Sequence, residues 1–220
     1  GFLTDVTFAA GLGQPSLEFL GFGTNFVDLD LDGWEDIFVV NGHVIDNIAL
    51  FNPDYTHAQR KQVFMNRGDG TFIDKTSEIG GALQEPQVGR GAAFGDIDND
   101  GDIDVVISNN NGQASLLINE GPPKNNWIGL LLEGRLYNRD AIGARVTVTS
   151  GGGTQIATVN PAASYLSSND KRLQFGLGSQ TVVNEISIQW PGGGVDRIEN
   201  IEGNRYYLIQ PGGKISAIQP

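Results

Sequence analysis

The sequence predicts an all-β protein, and three features of the chain support this fold class. The 220 residues include 31 glycines, and Asn and Asp recur between the apolar stretches. Those stretches are short and rich in Val, Ile and Phe, which is typical of strands bounded by turns. Almost none of them shows the 3.6-residue period of an amphipathic helix. We therefore expect many strands, little helix, and enough chain for two domains with real cores.

The charge of the chain restricts its partners. It carries 26 acidic and 14 basic residues, for a net charge of −12. Such a surface repels nucleic acid and anionic membranes and attracts cations. One of the longest apolar stretches, residues 127–132, is far shorter than the roughly 20 residues of a spanning helix and reads as a strand. We expect no nucleic-acid partner and no membrane insertion.

Cysteine is absent, which excludes disulfides, thiolate metal sites and a cysteine nucleophile but leaves the cellular compartment open. The chain opens at Gly1 without Met or a signal peptide. We expect either a processed mature protein or a part of a longer one.

A repeat organises the first half of the chain. Residues 26–37 recur 68 positions later (28 to 96) as residues 94–105, and both copies contain the complete spacing D-x-D-x-D-G-x-x-D. Two more elements repeat. Residues 3–7, followed by Gly11, correspond to residues 72–76, followed by Gly80. Residues 63–68 correspond to residues 116–121. Strand-sized units separated by turns indicate a sheet array or propeller blades.

The repeated spacing predicts two calcium sites. Calcium takes six to eight oxygen ligands, and carboxylates at alternate positions of a tight loop can converge on one ion. The glycine of each loop permits the sharp turn, and the side chain at position nine closes the shell. The predicted ligands are Asp28, Asp30, Asp32, the Trp34 carbonyl and Asp36 in the first loop, and Asp96, Asp98, Asp100, the Asp102 carbonyl and Asp104 in the second.

The alternative to calcium is a pair of solvated, metal-free turns. Four carboxylates within nine residues would then repel one another strongly. Magnesium suits the pattern less, because its octahedral shell usually keeps several waters. The flanks at residues 37–40 and 103–107 read as strands, so each loop joins strands rather than the helices of an EF-hand.

At these residues the chain resembles the FG-GAP or VCBS family of calcium-loop β-propeller repeats. Residues 66–72 and 91–96 resemble the same family. Further segments resemble the ASPIC/UnbV domain, at residues 126–130, 138–146, 164–170, 175–178 and 188–191. The resemblance implies a calcium-binding repeat region followed by a β-rich domain of secreted proteins without established catalysis.

The resemblance gives the expected architecture. Residues 1–123 form the calcium-loop repeat region and residues 124–220 a sandwich-like or barrel-like β-domain, joined through residues 121–125. Family propellers close with about seven blades, whereas two calcium loops cannot close a ring. Either the chain is a fragment, or the repeats pack on the C-terminal domain, or exposed strand edges pair with other copies or further repeats, with residues 2–8 as a strand donor. The insertion at residues 42–61 is the expected variable contact surface.

Other motifs favour structural interpretations. His43 and His57 are the only imidazoles, and no nucleophile-elbow G-x-S-x-G accompanies them. The integrin-type tripeptide at residues 67–69 lies where a tight hairpin turn requires Gly and Asp. The glycine clusters at residues 151–153, 176–178 and 192–194 are interpreted as hairpin turns, since none forms a strand–loop–helix phosphate cradle.

The large aromatic side chains have two possible uses. Those in alternating strands usually pack in a core, and their alternative is a carbohydrate platform. The candidates are Trp127, Trp190, Tyr165, Tyr206 and Tyr207.

The sequence therefore predicts an extracellular or cell-surface protein that binds two calcium ions, is not an enzyme, and has a structural or adhesive role with self-assembly into a surface layer or fibre. The alternatives are a glycan-binding or protein-binding module and, third, a hydrolase, which would need an acid outside the loops.

Overall fold

The computed structural model describes residues 2–121, 125–135, 137–151, 153–162 and 164–218. Strands dominate it, and the helical elements are single turns at α1 (Gly13–Ser16), α2 (Thr76–Ile79), α3 (Gly81–Gln84) and a 3₁₀ turn (Ile48–Leu50). The all-β prediction is confirmed. Within the described ranges, no helix is long and apolar enough to cross a bilayer.

The repeat region builds two antiparallel sheets. The first repeat sheet has the order β1-β2-β3-β4 and the second has the order β5-β6-β7. Their strands are β1 (Gly21–Val27), β2 (Asp36–Asn41), β3 (Gln62–Asn66), β4 (Phe72–Asp74), β5 (Gly89–Gly95), β6 (Asp104–Asn109) and β7 (Ser115–Leu117). The two aspartate loops occupy the same place in each sheet, between β1 and β2 and between β5 and β6.

One core joins the two repeat sheets. Val40, Val63 and Ile107 are almost completely buried in it. The rings of Phe38 and Phe94 meet edge to face across the sheets, with centroids 5.7 Å apart. Burial of this apolar surface holds the two hairpins, and therefore the two loops, side by side.

The C-terminal half forms a β-sandwich of two four-stranded sheets, in the orders β10-β9-β12-β13 and β11-β8-β14-β15. Its strands are β8 (Asn126–Leu132), β9 (Arg145–Ser150), β10 (Gly153–Thr158), β11 (Leu173–Gly178), β12 (Val182–Gln189), β13 (Val195–Glu202), β14 (Tyr206–Gln210) and β15 (Lys214–Ile218). Alternate residues such as Ile128, Val146 and Ile186 fill the space between the sheets. The predicted sandwich is confirmed, and the expected strand at 127–132 is β8. None of the four sheets in the described part of the chain closes into a ring.

The sandwich packs directly on the repeat region. Leu31 from the first loop lies in a small buried cluster with Trp127 and Tyr206 of the sandwich. Asp170 donates its backbone N–H to the carbonyl of Phe94 at 2.9 Å. The expected linker lies between β7 and β8, and its residues 122–124 are outside the described residues. The division of the chain at residue 123 stays a prediction.

Most of the large aromatic side chains belong to cores rather than to a platform. Trp127, Trp190, Tyr206 and Tyr207 are each less than one-tenth exposed. Tyr165 is 46% exposed and packs edge to face on Phe22 at a centroid distance of 5.2 Å. A continuous aromatic platform made of these five side chains is therefore excluded.

Candidate metal centres

The first loop brings three carboxylates together. Asp28, Asp30 and Asp36 each offer an oxygen, and these oxygens lie within 4.8 Å of one another. The backbone curls around Asp28, whose carboxylate accepts N–H groups from Asp32 at 3.1 Å and Gly33 at 2.9 Å. These bonds fix the first ligand of the loop before any ion binds.

The second loop repeats this geometry. Asp96, Asp98 and Asp104 have oxygens within the same 4.8 Å limit. The carboxylate of Asp96 accepts N–H groups from Asn99 at 2.6 Å and Gly101 at 2.9 Å. The equivalent aspartates of the repeated motif therefore converge in both loops.

Two backbone positions in each loop are left-handed. Gly33 and Gly101 have φ of +94° and +106°, as a sharp turn at the motif glycine requires. Leu31 and Asn99 also have positive φ, of 59° and 63°. Asn tolerates this region more readily than Leu. Burial of Leu31 against the sandwich offsets its strain.

The last aspartate of each loop is tied to a neighbouring strand. Asp36 accepts the N–H groups of Leu29 at 3.1 Å and Asn66 at 2.7 Å. Asp104 accepts those of Ile97 at 2.7 Å and Asn119 at 2.9 Å. Asn66 and Asn119 are equivalent members of the third repeated element, which therefore positions the closing aspartate in both loops. Ligand spacing alone did not identify these two asparagines.

The remaining predicted ligands have other contacts in the structure. Asp32 accepts the N–H of Trp34 at 2.8 Å, and Asp100 accepts that of Asp102 at 2.9 Å. Neither Asp32 nor Asp100 belongs to a converging group of three carboxylates. Such a turn leaves the second carboxylate oxygen of each aspartate available. The ligand roles of Asp32, Trp34, Asp100 and Asp102 stay predictions, as do those of the six converging aspartates.

The electrostatics of the loops favour a cation. Burial raises the pKa of Asp28 and of Asp36 to about 7, and neighbouring aspartates add to the rise. Burial likewise raises the pKa of Asp30, whose Oδ1 is buried without a hydrogen-bond partner. In the second loop, burial and neighbouring carboxylates raise the pKa of Asp102 to about 6.

Arg172 lies at the second loop, but it contacts the backbone carbonyl of Asp96 rather than its carboxylate. Among the described residues, no Lys, Arg or His forms an ion pair with any of the six converging carboxylates. An all-oxygen donor set with an orphaned buried oxygen fits a hard divalent cation, which would neutralise the repulsion.

The sandwich covers the second loop through polar contacts. Tyr206 donates its hydroxyl to Asp96 Oδ2 at 2.5 Å. Arg172 donates to Asn99 Oδ1 at 2.6 Å and to the carbonyl of Asp96. Its guanidinium lies over the Tyr206 ring, 4.6 Å from the centroid. Two side chains remote in sequence, Tyr206 and Arg172, therefore hold the second loop in place.

The backbone of the sandwich lies directly against the first loop. A Cβ at Gly176 would lie 2.1 Å from Asp28 Oδ2, and the N–H of Gly178 donates to the Leu31 carbonyl at 3.0 Å. The interpretation of residues 176–178 as a hairpin turn is wrong, because they lie within β11. Glycine is needed there because the sandwich backbone touches the loop.

The structure describes the glycine cluster at 192–194 completely and the cluster at 151–153 only in part. Residues 192–194 form the turn between β12 and β13, as expected. In the cluster at 151–153, Gly152 lies outside the described residues.

A cleft of about 520 Å³ lies between the loops and the sandwich. Its walls include Asp28, Trp34, Asn169 and Gln174. Both polar atoms of the Gln174 amide are buried without a hydrogen-bond partner. Trp34 is 53% exposed. Its indole ring and the unpartnered amide of Gln174 therefore line the same cleft.

Among the described residues, the two histidines and the integrin-type tripeptide make contacts that hold loops and turns. The N–H of His43 donates to the His57 carbonyl at 2.9 Å, and neither ring contacts a hydroxyl or carboxylate within hydrogen-bond distance. In the integrin-type tripeptide, Asp69 accepts the N–H of Thr71 at 2.9 Å and Gly68 has φ of +72°. The turn interpretation of this tripeptide is confirmed.

Comparison with known proteins agrees with this architecture. Residues 28–107 match the family model for the FG-GAP-like repeat, and residues 134–216 match that for ASPIC and UnbV. Cartilage acidic protein 1 from Homo sapiens is 44% identical over 57 residues, which is 26% of this chain and 8% of that protein. The proteins of the same name from Xenopus tropicalis and Mus musculus are 43% and 40% identical over 56 and 57 residues, again 8% of each. The chain thus matches the FG-GAP-like repeat model in its first half and the ASPIC and UnbV model in its second half.

Proposed function

We propose that this chain is an extracellular, calcium-binding, non-enzymatic structural protein whose two ions are held by the two aspartate loops. The observation that supports this most is the pair of converging carboxylate groups that form no ion pair with a described basic side chain. The proposed ligands remain Asp28, Asp30, Asp32, the Trp34 carbonyl and Asp36, with Asp96, Asp98, Asp100, the Asp102 carbonyl and Asp104.

Calcium fits the loops better than magnesium. Its six to eight oxygen ligands match loops that offer several carboxylates and a carbonyl, and its flexible shell tolerates irregular positions. Extracellular fluid supplies calcium at millimolar concentration, which suffices for the weak sites of extracellular modules. The matched relatives carry a name that refers to cartilage, which favours the same compartment.

The position of the loops supports a structural role. Each loop joins the first two strands of its sheet, and its closing aspartate is tied to the third strand through Asn66 or Asn119. The sandwich lies on both loops. An ion in each would therefore stabilise the hairpins and the contact between the two halves together.

Calorimetric titration tests the proposal. The chain, freed of metal, should bind two calcium ions. Asp30→Ala and Asp98→Ala should each remove one ion and leave the other, because each loop has its own shell. Asp46→Ala, at an exposed acidic side chain in the 42–61 insertion, is the matched control and should retain both. A chain that binds no calcium, or loses both ions through either loop variant, would contradict two independent sites.

A second candidate function is recognition of a neutral glycan in the cleft between the loops and the sandwich. The observation that favours it is that Gln174, whose buried amide is unpartnered, lines the same cleft as the half-exposed Trp34. Amide groups bind sugar hydroxyls and an indole face stacks on a sugar ring. Screening of neutral oligosaccharides against the chain and Gln174→Ala tests it, and retention of binding by the variant would contradict it.

A further inference from the structure

The second repeat sheet lacks a strand that the first possesses. In the first, β4 pairs with the outer edge of β3. In the second, the equivalent β7 pairs with β6 on one side and with no described strand on the other. Leu116 and Ile118 on this edge are 54% and 41% exposed. An unpaired edge with exposed apolar side chains is a template for a further strand.

The N-terminal segment has the features of that missing strand. Residues 3–7 are the sequence counterpart of residues 72–76, which contain β4. The local geometry also repeats: Thr7 donates its N–H to Asp5 Oδ1 at 2.9 Å, as Thr76 does to Asp74 at 3.0 Å. The segment nevertheless pairs with no described strand, and Phe2 is fully exposed.

We propose that residues 2–7 of one chain pair antiparallel with β7 of a second copy and supply the fourth strand of its second repeat sheet. The register follows from the first sheet, where Phe72, Ile73 and Asp74 lie opposite Asn66, Met65 and Phe64. The same register places Leu3 opposite Asn119, Thr4 opposite Ile118 and Asp5 opposite Leu117. This strand exchange rests on the proposed structural role, and the partner it requires is a second copy of the chain.

The first sheet also shows how the incoming strand is locked. Thr76 accepts the N–H of Val63 through its hydroxyl at 2.9 Å. In the assembly, Thr7 accepts the N–H of Leu116 in the same way. The backbone pairing supplies affinity, and burial of Phe2 and Leu3 adds apolar contact.

The geometry predicts an assembly in which each chain donates its N-terminal segment to the next chain. The donor segment and the acceptor edge are different surfaces, so the contact is heterologous and generates a fibre, or a ring where the rotation closes. The second loop controls the acceptor, because Asp104 holds the N–H of Asn119 at the end of β7. Calcium in the second loop therefore orders the acceptor edge before contact, and calcium in the first loop does not reach it.

Cysteine cross-linking tests the register, because the natural chain has no cysteine. Under oxidising conditions in millimolar calcium, a chain with Thr4→Cys and Ile118→Cys should form intermolecular disulfides, since directly opposite residues bring their Cβ atoms within bonding range. The matched control, Thr4→Cys with Leu117→Cys, places the second thiol on the other face and should cross-link far less. Equal cross-linking in both, or a disulfide within one chain, would overturn the proposal.

Sedimentation velocity separates this proposal from calcium binding itself. Thr4→Pro removes a pairing N–H from an unpaired, exposed segment and should leave the chain monomeric while it still binds two ions. Leu50→Asp, at an exposed apolar side chain in the 42–61 insertion, is the control and should assemble. Asp98→Ala should impair assembly more than Asp30→Ala. A natural chain that binds two calcium ions yet stays monomeric at high concentration would refute the strand exchange and leave the proposed sites intact.

Discussion

The two motif glycines provide a matched pair of substitutions that measures the contact between the second loop and the sandwich. Gly33 and Gly101 occupy the same loop position with positive φ, so alanine at either carries a left-handed penalty of about 1–2 kcal/mol. Their surroundings differ. A Cβ at Gly33 would lie 3.5 Å from its nearest neighbour, an ordinary contact, whereas one at Gly101 would lie 2.1 Å from the Trp127 ring.

The difference in free energy of unfolding follows from this geometry. Relief of the clash at Trp127 requires a shift of a buried indole or of the whole loop, and such overpacking costs about 1–3 kcal/mol. We therefore expect Gly101→Ala to destabilise the chain by about 1–3 kcal/mol more than Gly33→Ala. For a chain of this size, that difference lowers the melting temperature by roughly 2–12 °C more.

Thermal unfolding in saturating calcium, followed by circular dichroism, measures the effect. Gly70→Ala is the control for backbone strain alone, because Gly70 has φ of +85° in a turn outside the loops and no atom within 4 Å of the added Cβ. Equal destabilisation by Gly33→Ala and Gly101→Ala would show that Trp127 does not press on the second loop, and would refute the proposed contact.

Three further predictions concern the metal and the protons that compete with it. With site affinities near 0.1 mM, 1 mM calcium stabilises the fold by about 1.4 kcal/mol per site, so a chelator should lower the melting temperature; a chelator-insensitive transition would contradict this. In chelator, the folded chain holds protons on Asp28 and Asp36 up to about pH 7, whereas their ordinary pKa is 3.8. Metal-free stability should therefore fall as pH rises from about 4 to about 7, by about 4 kcal/mol for Asp28 alone, and saturating calcium should reverse the trend in urea unfolding curves. Tyr206→Phe removes the hydroxyl bound to Asp96 and should weaken calcium binding at the second loop about tenfold, with the first loop unchanged in the same titration.

The loops could be predicted from sequence because their information is local. Alternate aspartates and a turn glycine within nine residues specify a converging oxygen cage whatever the rest of the chain does. The sequence also contains the repeat of residues 63–68 at 116–121, but it does not indicate which residues that repeat contacts. Only the structure shows that Asn66 and Asn119 hold the closing aspartates.

The contact between the sandwich and the loops could not be predicted from sequence, because it joins residues far apart in the chain. Tyr206 and Asp96 are separated by 110 residues. Gly176 was misinterpreted because a glycine that admits a neighbouring backbone and one that makes a turn look the same in a sequence. The sequence did indicate the edge of β7 that has no described partner strand, because two repeats contain too few strands to close a ring.

A crystal structure grown in calcium, with an anomalous difference map recorded at long wavelength, would show directly whether each loop holds its own calcium ion. We expect two calcium peaks. One should lie 2.3–2.6 Å from oxygens of Asp28, Asp30 and Asp36, and the other at the same distances from oxygens of Asp96, Asp98 and Asp104. Loops without an anomalous peak, or one ion shared between them, would contradict it.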